Sequence, residues 1–335
     1  MSNNATFTGM PATQFFDEYP VVQVGGTGAT VWKPSTIDKE GFGDLQVVSS
    51  NTRISYATFA AWNDPMGIGS VTTPANRQPT SLKITANNPG GAIPVFYLPY
   101  ALNHNRRLTL VDKQGIGAVD FFVTDLVDGC SVYVEGTPAQ PSVYHINANK
   151  QKPKGMKDLS PTMASSKKMK IWNSKWSQMD QRFKTEGTVV KALGGTHAPP
   201  LPNVQAASKV ESQDYMLLTA NQESAFSGML AGMQATQRCP QNIGGQSVDE
   251  LEVIFSQGTI FGTRVGLNWS FWVQKRVLVK LYHLTLVPPA SRTTKQKAAA
   301  AFGKLPYTRT QLGTEWVIRG VHQFGPTVNT GRLVP

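Results

Sequence analysis

Apolar residues along most of this chain fall in short runs rather than at helical spacing. Val21–Val24, Leu45–Val48, Leu82–Thr85, Pro94–Tyr97, Leu108–Val111 and Val119–Val123 are rich in β-branched and aromatic side chains. Gly, Pro or Asn lies between most of them, so each run predicts a short strand bounded by a turn. Ser131–Val134 and Val143–Ile146 continue the series around Gly136-Thr137-Pro138. Further on, Glu252–Phe255, Thr259–Thr263, Trp269–Gln274 and Val277–Leu286 predict four more strands, the last two separated by Lys275-Arg276.

Helical patterning is confined to a few places. The strongest candidate runs from about Val204 to Met233, with Tyr215, Leu218, Phe226, Met229, Leu230 and Met233 as its apolar positions. Ser291–Phe302 reads as a short basic helix, and the residues after it as irregular. Strands and helices do not alternate strictly. This predicts an α+β fold, a β-sandwich-like core of mixed sheets with helices packed outside. Residues 1–45 are polar and Gly-rich around Val21–Val24 and are expected to form an arm or subdomain. Residues 46–290 would then hold the main domain, and 291–335 a basic helix and tail. The stretch Gly25-Gly26-Thr27-Gly28 lacks the third glycine of a dinucleotide loop, where Val31 stands, and lacks a P-loop lysine, so it reads as a turn.

Charge adds one feature. The net charge is +11, and residues 150–184 hold most of it, with ten basic side chains against two acidic ones. Such a segment favours an acidic partner. Trp172 and Trp176 within it suit a core-facing helix better than base stacking, so a protein face is the expected partner rather than nucleic acid. The two cysteines, Cys130 and Cys239, make neither a disulfide framework nor a metal motif, which fits a reducing compartment. No Sec-type signal peptide and no membrane-spanning run is visible, so any export would need a machine that uses no cleaved signal.

The chemistry-bearing stretch is 121–147. An apolar strand ends near Val123, a turn with Asp128-Gly129 presents Cys130, and a second strand leaves, turns at Gly136–Pro141 and returns through Val143 to His145. A hairpin of that length brings His145 back towards Cys130. Nucleophilic amide chemistry needs a thiolate, and a neighbouring imidazole can generate one. The imidazolium can then protonate the departing nitrogen. Backbone N–H groups at the turn, those of Gly129 and Cys130, would stabilise the oxyanion. The competing reading is plain: a lone cysteine is usually a small buried hydrophobe, and a lone strand histidine a satisfied core or edge residue.

Gly129-Cys130 after an apolar strand, with His145 fifteen positions on, resembles the catalytic domain of the cytotoxic necrotizing factors, and also Burkholderia lethal factor and the chemoreceptor glutamine deamidases. The latter two place a Thr six residues before the Cys, and Thr124 stands there in this chain. The resemblance covers about 25 residues. It implies a protein glutamine deamidase of the bacterial toxin type, with Cys130 as nucleophile, His145 as base and acid, and Thr124 orienting the ring. It implies no cofactor and no metal. It also implies a secreted effector acting in the cytoplasm of a target cell; a transglutaminase outcome needs only an amine in place of water. Asp128 departs from the necrotizing factors, which carry Ser, and an inward-pointing carboxylate there would raise the thiol pKa.

Other candidates are weaker. Cys239, in Arg238-Cys239-Pro240, reads as structural, and His104, His197, His283 and His322 lack metal spacing. Lys150, Lys152, Lys154 and Lys157 begin five residues after His145 and are expected to rim a shallow, open site that takes glutamine only from a folded, acidic protein target. The alternative is a non-catalytic β-sandwich module that docks an acidic partner through residues 150–184.

Overall fold

The computed structural model describes residues 3–26, 36–38, 46–50, 54–62, 79–100, 104–110, 119–128, 130–146, 209–210, 212–215 and 222–325. In chain order the strands begin with β1 (Val21–Gly26), β2 (Thr36–Asp38), β3 (Gln46–Ser50), β4 (Ile54–Ala61), β5 (Thr80–Thr85), β6 (Ile93–Leu98), β7 (His104–Thr109) and β8 (Phe121–Thr124). They continue with β9 (Ser131–Thr137), β10 (Gln140–Ile146), β11 (Lys209–Val210), β12 (Asn242–Ile243), β13 (Gln246–Ser247), β14 (Glu250–Val265), β15 (Asn268–Leu286) and β16 (Tyr307–Phe324). One sheet has eight strands in the order β1-β5-β4-β6-β8-β14-β15-β16, and a second has six in the order β11-β9-β10-β7-β3-β2. Parallel pairs (β1 with β5, β6 with β8, β3 with β7) sit among antiparallel ones, so both sheets are mixed. The fold is α+β with a sandwich-like core.

Two apolar layers explain why the sheets stack this way. Between the sheets, Phe96, Phe122, Ile260, Trp269 and Phe271 of the large sheet meet Leu108, Val132, Val134 and Val143 of the small one. On the outer face of the large sheet, the helices Asn3–Thr8 and Ala12–Glu18 lay Phe7, Phe15 and Phe16 over Phe59, Leu82, Phe121 and Phe261. Phe16 stacks on Phe261 at 3.9 Å, and Phe7 on Phe59 at 4.5 Å. Burying large aromatic rings in such pairs stabilises by more than area alone. β8 shows the division strand by strand: Phe121 and Val123 face the helices, and Phe122 faces the other sheet.

Several elements differ from the sequence expectation. Glu252–Phe255 and Thr259–Thr263 belong to one strand, β14, and Trp269–Gln274 and Val277–Leu286 to another, β15. Lys275-Arg276 does not interrupt β15, because Arg276 is wholly buried. Its guanidinium donates to Thr259 Oγ1, to Gln274 Oε1 at 3.3 Å and to Gln257 Oε1 at 3.0 Å, and lies over the Trp316 ring. The region after 302 is not irregular: Tyr307–Phe324 forms β16, paired along β15. Within 204–233 the described residues form the short strand β11 and the helices Ser212–Tyr215 and Gln222–Ala235 rather than one helix. Residues 3–26 pack into the large sheet, where Gln274 accepts from Val21 N–H at 3.0 Å and donates to the Tyr19 carbonyl at 2.8 Å.

Candidate functional site

The β9–β10 hairpin is built around Gly136, whose φ of +88° suits glycine, and where a Cβ would meet the Gln140 carbonyl oxygen at 2.9 Å. Its register sets Val143 opposite Val134 and His145 opposite Val132. Residues directly opposite share a face. Val132, Val134 and Val143 all face the inter-sheet core, so His145 faces it too. Cys130 lies two residues before Val132 and packs in the same core. The imidazole on β10 and the thiol just before β9 are therefore turned towards the same core. Thr124 comes from the opposite sheet. It lies two residues after Phe122 and is paired with Leu98, both inter-sheet residues, so its side chain also enters this layer. All three sequence-derived residues converge on one interior layer. The Thr124 hydroxyl donates to the Asp125 carbonyl at 2.6 Å.

Burial distinguishes this site from the shallow, open one expected from the turn. Cys130 is 0% exposed and His145 2%. The reason lies in the loop before β9. Val127 forms a two-hydrogen-bond bridge with Gly258 of β14, at 2.9 and 2.8 Å, which holds it against the large sheet. Tyr215, itself fully buried, donates its hydroxyl to the Cys130 carbonyl at 2.7 Å and ties that residue in place. Asp128 is exposed rather than buried in the core.

A polar cluster flanks the imidazole. The Tyr100 ring, 37% exposed, lies 5.9 Å from the His145 ring at 50°. Asp125 fixes that tyrosine: one carboxylate oxygen accepts from the Tyr100 N–H at 2.6 Å, and the other from the Tyr97 hydroxyl. Arg106, opposite His145 in the β7–β10 register, donates to the Tyr100 carbonyl at 3.0 Å. Burial raises the Asp125 carboxyl above its ordinary value, although hydrogen bonds from Tyr97 and Tyr100 and the charge of Arg106 pull it down. Burial, with the Asp125 charge beside it, also raises the Tyr97 phenol. Sequence reading did not single out these residues. Asp125 adjoins Thr124 but looks like any turn acid, and Tyr215 is 85 positions from its partner Cys130.

The sign of the Asp125 shift makes a stability prediction. The unfolded chain ionises this group near about 3.9, whereas the folded protein keeps its proton to higher pH. Between the two values the folded state binds more protons. The group's contribution is therefore fully present below the unfolded value and lost as pH rises through the folded one. Asp125→Asn cannot titrate. Its urea midpoint is expected to fall less than the wild type's as pH rises from about 4. Parallel profiles for the two proteins would exclude this.

The remaining sequence candidates lie elsewhere. Cys239 is buried between the helix Gln222–Ala235 and the β14–β16 ribbon, and burial, with Glu315 nearby, pushes its thiol up to about 12. His283 meets Asp249 at 2.8 Å on the surface. Gly129, His197, Lys150, Lys152, Lys154, Lys157 and the whole basic segment 150–184 lie outside the described residues. Among the described residues no group of three or more His, Cys, Asp or Glu could hold a metal ion, and no helix is long and apolar enough to cross a membrane. Comparison with protein-family models and with curated proteins finds no match.

Proposed function

We propose that this chain is a cysteine-dependent protein glutamine deamidase. The observation that supports the reading is that Cys130, just before β9, is buried in the inter-sheet core towards which the β9–β10 register turns His145. In this mechanism His145 takes the Cys130 proton, and the thiolate attacks the side-chain carboxamide carbon of a glutamine. The tetrahedral oxyanion would be met by backbone N–H groups, which the sequence reading assigns to Gly129 and Cys130. It collapses as the C–N bond breaks and the imidazolium protonates the departing nitrogen, releasing ammonia. A thioester remains. His145 then deprotonates a water, which attacks the thioester; the thiolate leaves and glutamate is released. An amine in place of that water would give transamidation. The half-exposed Tyr100 borders the imidazole, and it and Thr124, which faces the same inter-sheet layer, would hold its orientation. The substrate would be a protein with an acidic face, recognised by the basic segment that follows His145. Such chemistry fits an exported effector acting in the cytoplasm of a target cell.

The test is peptide mass spectrometry of a lysate exposed to the protein. Conversion of a glutamine gives a gain of about 1 Da that depends on the thiol nucleophile. It should occur with wild type and be absent with Cys130→Ser. Equal spectra from the two proteins would remove the enzyme reading.

One observation favours a second reading. A thiol at 0% exposure among valines, leucines and aromatic rings is also what an inert core cysteine looks like. The chain would then be a binding module for an acidic partner. Iodoacetamide separates the two. A working nucleophile is alkylated faster at Cys130 than at Cys239, whose thiol burial holds up to about 12. Equal, slow labelling of both would favour the module.

A further inference from the structure

The ribbon formed by β15 and β16 runs past the rest of the large sheet. Pairing of β15 with β14 ends at Tyr282–Glu250, while β15 and β16 stay paired to Leu286–Tyr307. Beyond that pair the chain makes a short 3-10 turn, Pro289–Ser291, and the helix Thr294–Ala301. A capping box closes the helix start: Thr293 Oγ1 accepts from the Gln296 N–H at 3.3 Å, and Gln296 Oε1 from the Thr293 N–H at 2.9 Å. None of the helix residues is buried. A helix of eight residues is marginal in water without an apolar face to bury. The cap, and the hydrogen bond from Val287 N–H to the Pro306 carbonyl at 3.0 Å that closes the loop, keep its shape on the protein's own side.

The tip carries two kinds of unspent side chain. Phe302 is 85% exposed, Tyr307 49%, Leu305 47% and Leu286 43%. Leu286 and Tyr307 are directly paired, so they share a face. Arg292, Lys295, Lys297 and Lys304 surround them, and no acidic residue occurs between Glu252 and Glu315. Arg309, further back, is held by Glu250 at 2.9 Å and by the Tyr282 ring at 3.9 Å. The four tip cations are therefore offset by no acid in their own stretch of chain.

We propose that this arm docks on an anionic membrane surface, its cations among lipid headgroups and Phe302, Leu305 and Leu286 at the acyl boundary. The pairing of positive charge with exposed aliphatic and aromatic side chains at one projecting end is what an interfacial anchor requires. A duplex would be served by the cations alone, and a single strand by stacked aromatic platforms rather than by leucines. A second copy of the chain would bring the same positive tip against itself. The arm is separate from the Cys130 site, so the inference stands whether or not the chain is a deamidase.

The test is cosedimentation of the full chain with vesicles of phosphatidylcholine, with or without phosphatidylserine. Binding is expected only with phosphatidylserine, and to weaken with salt. Lys295→Gln with Lys297→Gln should lower the binding constant about thirtyfold at low salt. Phe302→Ser with Leu305→Ser should lower it about tenfold or more. All four positions are on the surface, and circular dichroism checks that the variants stay folded. Absence of binding, equal binding to both vesicles, or binding unmoved by these variants overturns the proposal. So does retention on duplex DNA or single-stranded RNA without vesicle binding. A dimer that Phe302→Ser disperses, without vesicle binding, overturns it as well.

Discussion

Replacing His145 by Ala is expected to slow glutamine deamidation by about three to four orders of magnitude, and adding Cys130→Ala should slow it little further. The imidazole has two tasks in the proposed cycle. It draws the proton from the thiol, and it protonates the nitrogen that leaves. Without it the thiol must ionise in an apolar layer, and ammonia must depart as an anion. Without the thiol the imidazole has nothing to activate. Groups that act as one unit lose their effects together, so the double variant should lie close to either single one. Ammonia release, followed alongside the mass change on the target protein, measures all three variants. Losses that multiply would show that the pair does not act as a unit, whatever its placement. A stability change confined to His145→Ala would be visible separately, because the side chain is 2% exposed and its removal leaves a cavity beside Tyr100.

The parity of the β9–β10 hairpin was legible in the residues themselves. Val132, Val134, Val143 and His145 alternate with Tyr133, Tyr144 and Ser131, and the turn glycine places the two halves in register. The sandwich class followed from the same short runs. What was not legible depends on partners remote in the chain. Arg276 looks like a solvated break in a strand, yet it is buried because Gln257, Thr259 and Gln274 accept its hydrogen bonds. A buried charge needs such acceptors, and nothing local announces them. β16 escaped notice because its first five residues, Tyr307 to Gln311, are exposed on both faces, so the two-residue period is absent where the strand begins. The two N-terminal helices looked polar because Phe7, Phe15 and Phe16 are their buried residues among those described, at the spacing of two short helices. The depth of the candidate site was invisible for the same reason. It is set by Val127 on Gly258 and by Tyr215 on Cys130, contacts spanning 131 and 85 positions.

Those two contacts make Gly258 a residue through which the large sheet acts on Cys130. A Cβ at this position would meet Val127 Cγ2 at 2.7 Å, Tyr215 Cγ at 3.2 Å and Val273 Cγ2 at 3.3 Å. The first distance is shorter than any ordinary contact, and Val127 is wholly buried and tied by both its backbone hydrogen bonds to Gly258 itself. Gly258→Ala must therefore lift Val127, tilt Tyr215, or both. Overpacking of this kind costs about 1–3 kcal/mol. Either movement reaches Cys130, three residues after Val127 and held at its carbonyl by the Tyr215 hydroxyl. Displacing a nucleophile by about 1 Å can cost a hundredfold in rate, and a loss of about that size is expected in folded Gly258→Ala. Two further variants separate activity from stability. Tyr215→Phe removes the hydroxyl without adding volume, and should lower the rate in the same direction while costing about 1 kcal/mol of stability. Gly262→Ala puts a methyl against the Phe271 ring at 2.9 Å instead, away from Val127 and Tyr215, and should cost stability with little change in the rate per folded molecule. Rates are compared below each variant's urea transition. A Gly258→Ala protein that is destabilised yet deamidates at the wild-type rate would show that the β14 bridge does not position Cys130.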